Sequence, residues 1–186
     1  SASLVGSEMC IRDSSPNQLK KLREAEKRSV AQYGVCFQNR YNPCVQAAKE
    51  RMESGTTGKL LAARAFVTWN RQPPYYTESG WRGTLRQEGG GVLTNQAIHT
   101  LDLMRYFGGE IAAISGQITN QHLRGVIEVE DTACVLLQYA SGAAGIFYAT
   151  TAYRQNAPVL LELVCEQETL RLEGSNLYRL EGNRLT

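Results

Sequence analysis

The chain has 186 residues, enough to bury one hydrophobic core, so we expect one domain or one domain plus part of another. Charged residues make up 20% of it and the net charge is +2, without the basic cluster typical of a nucleic-acid-binding face. No apolar run approaches about 18 residues, so we expect no membrane-spanning helix and no membrane partner.

The five cysteines are widely spaced and form no CxxC pair. Neither His99 nor His122 has a second Cys or His at metal-binding spacing, so we expect no metal site. We interpret the cysteines as reduced core residues of a cytoplasmic protein. Residues 1–14 have neither helical nor strand periodicity, and we interpret them as extraneous to the fold and disordered.

The first periodic segment predicts a helix followed by a strand. Apolar residues from Leu19 to Val30 recur at helical spacing in a run that extends to about Gln32. A buried strand is predicted at Val35 to Phe37. Helix followed by strand is half of a parallel α/β unit, so this segment resembles the end of a larger sheet.

From Asn42 onward the pattern indicates an α+β domain. Asn42 and Pro43 predict the start of a helix that ends at Gly55, and a second helix is predicted at 92–107 after an irregular loop at 72–91. Consecutive strand signals predict an open, mainly antiparallel sheet with helices on one face. The predicted strands are 61–70, 111–119, 132–139, 144–151, 159–165, 169–173 and 178–185, the last with a turn at 181–183.

A polar stripe on the predicted helix 92–107 contains the candidate catalytic residues. Asn95, His99, Asp102 and Tyr106 are spaced by four, three and four residues and therefore share one face. Such a stripe is often only a solvated surface, but three glycines at 89–91 precede it and predict free backbone N–H groups at the helix start. An imidazole in this position is suited to take and return a hydroxyl proton.

Three motifs now combine: FQNRYNP at 37–43, SGWRG at 79–83 and GGGVLTNQAIHTLD at 89–102. Their order and separation resemble the glucose–fructose oxidoreductase / inositol dehydrogenase family, Gfo/Idh/MocA. The resemblance implies a Rossmann domain followed by the α+β domain, and hydride transfer between NAD or NADP and a hydroxyl of a sugar, cyclitol or related polyol. It makes residues 15–42 a remnant of the Rossmann domain and 43–186 the substrate-binding and catalytic domain.

The resemblance also assigns site residues. His99 is the catalytic acid/base, and Asn95 stands where the family has an acidic residue, so its role is hydrogen bonding or orienting His99. The candidate substrate-binding residues are Arg40, Tyr76, Asp102 and Tyr106, although Tyr76 is equally well explained by loop packing. The candidate cofactor-binding residues are Asn39, Trp81 and Arg82.

Two features lead us to expect a fragment that is inactive by itself. The chain has no GxGxxG after a strand, and the lysine of the family's E-K-P motif has no counterpart. An alternative function is a non-catalytic binding or oligomerisation module that uses the open sheet, and homo-oligomerisation through the sheet is expected in either case. A metal hydrolase built on His99 and Asp102 is a poor third hypothesis, because no ligand cluster surrounds them.

Overall fold

The structure, a computed structural model, describes residues 16–30, 36–181 and 184–185. The helices are α1 (Pro16–Arg28), a 3-10 helix (Gln38–Tyr41), α2 (Pro43–Glu53), α3 (Pro73–Thr77) and α4 (Ile98–Gly108). The strands are β1 (Leu60–Thr68), β2 (Ile111–Thr119), β3 (Thr132–Tyr139), β4 (Ala144–Thr150), β5 (Leu160–Cys165), β6 (Thr169–Glu173), β7 (Asn176–Glu181) and β8 (Arg184–Leu185).

These strands form one open sheet in the order β2-β3-β4-β1-β5-β6-β7-β8. Strands β2 to β4 form one antiparallel meander and β5 to β8 another, and β1 joins them in the middle. Strand β1 pairs with β4 in parallel and with β5 antiparallel. The predicted α+β class with a mainly antiparallel sheet is confirmed, with β1 and β4 as its parallel pair.

Side-chain alternation gives the sheet one covered face. Ala65, Phe147 and Leu161 are opposite one another on neighbouring strands and are buried, so they lie on the same face. Helices α2 and α4 contribute buried residues to the same core. The hydroxyl of buried Tyr139 donates to the backbone oxygen of Met104 in α4 at 3.2 Å, which ties this helix to the sheet. The helical layer thus holds α4 against the covered face.

Near the N-terminus the structure differs from the prediction. Helix α1 ends at Arg28 rather than at Gln32, which lies outside the described residues together with residues 1–14 and Val35. Cys36 and Phe37 belong to neither a helix nor a strand. The backbone oxygen of Phe37 instead accepts from the Arg40 N–H at 3.1 Å and begins the 3-10 helix. The described part of the predicted strand is therefore absent.

The predicted start of the functional helix is also wrong. Residues 91–97 form consecutive turns, and α4 begins only at Ile98. The Ala97 N–H donates to the Val92 oxygen, five residues back, at 2.8 Å, which departs from the helical spacing of four. The Glu130 side chain accepts from the N–H groups of Gly91 at 2.9 Å and Leu93 at 3.0 Å, and its backbone oxygen accepts from Val92 at 3.0 Å. These three N–H groups are occupied and are not available to an anion.

The described cysteines are free thiols, but only Cys44 and Cys165 lie in the core as predicted. Cys36 and Cys134 are exposed. Cys134 is exposed because strand alternation turns it to the uncovered face of the sheet. In the described ranges no helix combines the length and apolarity needed to cross a bilayer.

Candidate active site

His99 lies in the first turn of α4 and is half-buried. The side-chain amide nitrogen of Gln38, in the 3-10 helix, is 3.4 Å from the imidazole Nε2. When the proton of the neutral ring is on Nδ1, His99 Nε2 accepts a hydrogen bond from this amide. The ring of Phe37 packs edge-on against the imidazole, with centroids 6.1 Å apart. The 3-10 helix therefore limits the orientations open to His99.

An ion pair joins the 3-10 helix to α4 on the same side. Arg40 donates from Nε to one oxygen of Asp102 at 2.7 Å and from Nη2 to the other at 2.5 Å. The Asp102 side chain is only 7% exposed, and the hydrogen bond to it raises the pKa of Arg40. The Arg40 guanidinium also lies 4.8 Å from the centre of the Tyr106 ring. Three predicted substrate-binding residues thus contact one another.

Asn95, the predicted partner of His99, lies in the turns before α4 rather than in the helix. Its side-chain nitrogen donates to one carboxylate oxygen of Glu88. The other oxygen of Glu88 accepts from the Gly83 N–H at 2.5 Å. Glu88 is 1% exposed, and the sequence analysis missed it. The available signal was a charged residue directly before three glycines, which by itself does not distinguish a buried carboxylate from a solvated one.

The loop that carries Glu88 is held by close backbone packing. Gly83 has a φ of +74°, and a Cβ on it would lie 2.4 Å from the side chain of Ile127. The Gly83 carbonyl accepts from the Glu128 N–H at 2.7 Å. A larger residue at Gly83 would separate these segments, so this glycine is required for Glu88 to reach Asn95.

Tyr76 lies inside this loop cluster. It is 4% exposed and packs with Leu123, Ile127 and Val129. Burial raises the pKa of Tyr76 to about 12, against the opposing effect of a hydrogen bond with Thr151. A direct contact between Tyr76 and a substrate would require the loop to open.

The candidate cofactor-binding residues Trp81 and Arg82 lie on the outer part of the loop. The Arg82 guanidinium is 4.9 Å from the centre of the Trp81 ring and 4.4 Å from that of Tyr75. No carboxylate in the described part of the chain forms an ion pair with Arg82. Asn39, the third candidate, is half-buried in the 3-10 helix next to Gln38.

Next to α4 an open apolar groove of about 390 Å³ extends from Phe37 past Asp102 to Ile114 and Val135 of the sheet. No group of three His, Cys, Asp or Glu side chains suited to hold a metal occurs among the described residues. The arrangement supports proton transfer at His99 and hydrogen bonding at Asn95.

Comparison with protein families gives a match to the GFO/IDH/MocA C-terminal domain over residues 45–171. Levoglucosan dehydrogenase of Pseudarthrobacter phenanthrenivorans is 25% identical over 168 residues, covering 77% of this chain and 43% of its own length. D-apiose dehydrogenase of Rhizobium rhizogenes is 31% identical over 151 residues, covering 76% and 40%. The scyllo-inositol 2-dehydrogenase (NAD(+)) of Bacillus subtilis is 29% identical over 129 residues, covering 66% and 35%.

Solved structures show the same fold. The WlbA dehydrogenase of Bordetella pertussis, in complex with NADH and UDP-GlcNAcA, matches 90% of this chain and 49% of its own at a TM-score of 0.79 and 29% identity. Levoglucosan dehydrogenase in complex with NADH and levoglucosan matches 91% and 50%, at a TM-score of 0.79 and 23% identity. The chain spans about half the length of these structures and less than half the length of the relatives above.

Proposed function

The chain belongs to the GFO/IDH/MocA family, and we propose that it is the substrate-binding and catalytic half of an NAD(P)-dependent dehydrogenase acting on a sugar, cyclitol or related polyol. The observation that carries this proposal is the half-buried His99, which is contacted by Gln38 and Phe37. Relatives named as dehydrogenases of levoglucosan, D-apiose and scyllo-inositol support the substrate class.

The proposed proton step takes place at His99 Nε2, the ring nitrogen that faces Gln38. A substrate hydroxyl displaces the Gln38 amide and donates a hydrogen bond to the same nitrogen. The hydroxyl proton is then transferred to that nitrogen. A bound nicotinamide would supply the acceptor for the hydride released from that carbon as its C=O bond forms. In the reverse direction His99 returns the proton to the new hydroxyl.

The dinucleotide fits this half at one end. Arg82 offers a guanidinium without a carboxylate partner in the described residues, beside the flat ring of Trp81. We assign Trp81, Arg82 and Asn39 to the nicotinamide end of the cofactor. The sequence contains no GxGxxG after a strand to hold the pyrophosphate, so we assign that task to a nucleotide-binding domain to which residues 15–42 belong. Residues 43–186 then form the substrate domain.

The division of labour between domains is tested by cofactor binding to the chain itself. Trp69 and Trp81 report on the loop that carries Arg82, so their fluorescence is followed during titration with NADH and NADPH. We expect no saturable quenching up to about millimolar cofactor, because a pyrophosphate loop contributes much of dinucleotide affinity. Tight binding by this chain would contradict the assignment.

The acid/base role of His99 is tested after residues 16–186 are joined to the nucleotide-binding domain of levoglucosan dehydrogenase, from which the segment equivalent to residues 16–42 has been removed. NADH formation is measured with levoglucosan, D-apiose and scyllo-inositol. We expect His99→Ala to lower kcat about a hundredfold or more. His122→Ala is the matched control, since that histidine is exposed and only its backbone N–H is used, by Asp131. Equal turnover in the two variants would contradict the assignment.

The uncovered face of the sheet supports a second proposal, assembly into a homo-oligomer. Leu136 and Ile146 lie opposite each other on β3 and β4, at 57% and 52% exposure, beside half-buried Phe66 and Tyr148. Isolated apolar residues are normal on a surface, whereas a contiguous patch favours an interface. The patch is compatible with catalysis, and the relatives named above favour a dehydrogenase over a purely structural module.

Light scattering of Leu136→Glu tests this assembly. We expect the variant to be monomeric at concentrations where the unmodified chain is oligomeric. Ile114→Glu is the control, because Ile114 is equally exposed but lies on the opposite face. A monomeric unmodified chain at high concentration would contradict the proposal.

A further inference from the structure

Glu88 is a fully buried carboxylate with no cation as its partner. Its two oxygens accept from the Gly83 N–H and from the Asn95 side-chain nitrogen. Among the described residues these are its side-chain hydrogen bonds, and no Lys or Arg forms an ion pair with it. Burying a charge is costly unless it is well hydrogen-bonded, so this contact constrains the Asn95 amide strongly.

The contact fixes which way the amide faces. An ionised carboxylate only accepts hydrogen bonds, and the backbone donor at Gly83 is unambiguous. The Asn95 atom that faces Glu88 is therefore the nitrogen, and its Oδ1 points away from the carboxylate. Asn95 is half-buried, and no hydrogen bond to its Oδ1 occurs in the described part of the chain. Among the described residues the oxygen is left as an acceptor without a hydrogen-bond donor, four residues before His99 in the sequence.

We propose that Glu88 is a positioning residue that holds Asn95 Oδ1 as the acceptor for a second hydroxyl of the substrate, next to the hydroxyl that His99 deprotonates. This inference rests on the proposed dehydrogenase function and specifies the substrate class at that position. Hydroxyl groups donate to Oδ1, whereas a carbonyl oxygen does not. The nearby Glu88 charge also disfavours a carboxylate or phosphate there, so the site selects a neutral hydroxyl donor.

The Glu88–Asn95 pair explains how an amide serves where the family's pattern has an acidic residue. A negative charge is retained in the site, but it is moved from position 95 to position 88 and acts through the amide. The double variant Glu88→Gln/Asn95→Asp returns the negative charge to position 95. It keeps the shapes of both side chains and both hydrogen bonds. Asn95→Asp alone places two carboxylates in contact, which forces one of them to keep a proton.

The first measurement uses the chain itself. In ¹⁵N-labelled protein, a side-chain NH₂ group that donates to a carboxylate is expected to have one proton shifted downfield and slow to exchange. We expect this signature for Asn95 in the unmodified chain and its loss in Glu88→Gln. Glu128→Gln is the matched control, because Glu128 holds the same loop through the Leu85 N–H at 2.8 Å and has no bond to Asn95. An unshifted Asn95 resonance in the unmodified chain would overturn the proposal.

The second measurement uses the two-domain protein described above. We expect Glu88→Gln to raise KM for a neutral polyol about tenfold with a smaller change in kcat, as for loss of one hydrogen bond made in both ground and transition states. The double variant Glu88→Gln/Asn95→Asp is expected to recover KM to within about threefold, and it substitutes for Glu88→Gln if that variant does not fold. Asn95→Asp alone is expected to make KM depend on pH.

The outcomes separate this inference from the function on which it rests. Loss of turnover in His99→Ala, combined with an unchanged KM in Glu88→Gln and in Asn95→Asp, would overturn the positioning role and leave the dehydrogenase assignment intact. Full turnover in His99→Ala would remove the proposed function, while the Asn95 resonance would still report whether Glu88 fixes the amide. Recovery of KM in the double variant supports the proposal when Glu88→Gln has raised KM without lowering the unfolding free energy, because loss of a purely structural carboxylate would lower stability.

Discussion

Carboxylates hold the two sides of the candidate site in different ways. On the loop side, Glu88 and Glu130 accept from N–H groups of backbone and amide, and no cation of the described ranges forms an ion pair with either. On the helix side, Asp102 accepts two hydrogen bonds from Arg40. A similar pattern occurs farther away, where Glu168 accepts from Arg51 at 2.6 Å and Arg179 at 2.8 Å.

The difference follows from what each region lacks. Residues 83–97 have little regular secondary structure, so their N–H groups need other acceptors, and carboxylates supply them. The guanidinium pairs instead join elements whose backbones are already hydrogen-bonded, such as the 3-10 helix and α4. We infer that loss of a loop carboxylate disrupts local backbone structure, whereas loss of an ion pair mainly loosens the docking of intact elements.

The largest expected effect is on the loop side. Glu130→Ala leaves the N–H groups of Gly91 and Leu93 without their acceptor. Since hydrogen bonds to a charged group contribute about 1.5–3 kcal/mol each and these are partly exposed, we expect unfolding free energy to fall by about 3 kcal/mol. Urea denaturation followed by circular dichroism measures it. Glu128→Ala, which removes one exposed bond, is the control and is expected to cost less than about 1 kcal/mol.

A smaller effect is expected on the helix side. Arg40→Ala removes both donors from Asp102, whose side chain is 7% exposed, and we expect a loss of about 2 kcal/mol. The 37% exposure of Arg40 keeps this cost below that of a fully buried pair. Arg40→Lys is expected to recover less than half, because an ammonium does not reproduce the two parallel bonds. A double-mutant cycle with Asp102→Ala measures the interaction energy of Arg40 and Asp102. A value near zero would contradict the comparison, because the ion pair would then not stabilise the docking of the 3-10 helix on α4.

Elements marked by a local sequence pattern were predictable, whereas contacts between distant segments were not. Strands β2 and β3 were predictable to the residue, because alternation of apolar side chains and flanking turn residues mark both ends. The shared face of His99, Asp102 and Tyr106 was also predictable from spacing alone. Arg40 lies 62 residues from Asp102 along the chain, and no periodic pattern connects them.

The start of α4 and the role of Glu88 were not predictable for a physical reason. Apolar periodicity continues through 92–97, but the backbone forms turns there, and Glu130 accepts from the N–H groups of Gly91 and Leu93. Which backbone donors a distant carboxylate reaches depends on tertiary packing, including the close approach at Gly83. Local propensity carries no information about that approach, so a site built from loop carboxylates emerges only from the folded chain.

The smallest expected effect concerns Glu168 and its dependence on pH. Burial alone would raise the pKa of the Glu168 carboxyl, but hydrogen bonds and charges from Arg51 and Arg179 outweigh it and lower that pKa. A lowered folded-state pKa means that the stabilisation is complete above the unfolded value, about 4.3, and is lost as pH falls through the folded value.

Because Arg51 and Arg179 are 33% and 40% exposed, we expect Glu168→Gln to cost less than about 1 kcal/mol at pH 7 and almost nothing once the pH is below the folded-state pKa of Glu168. Melting temperatures measured across this range give the difference. Glu53→Gln, at an exposed pair on α2, is the control and is expected to follow the unmodified chain. If the loss of stability in Glu168→Gln stayed constant with pH, Glu168 would act through its shape rather than its charge. The difference between carboxylates bound by N–H groups and carboxylates bound by guanidinium groups would then not extend beyond the candidate site.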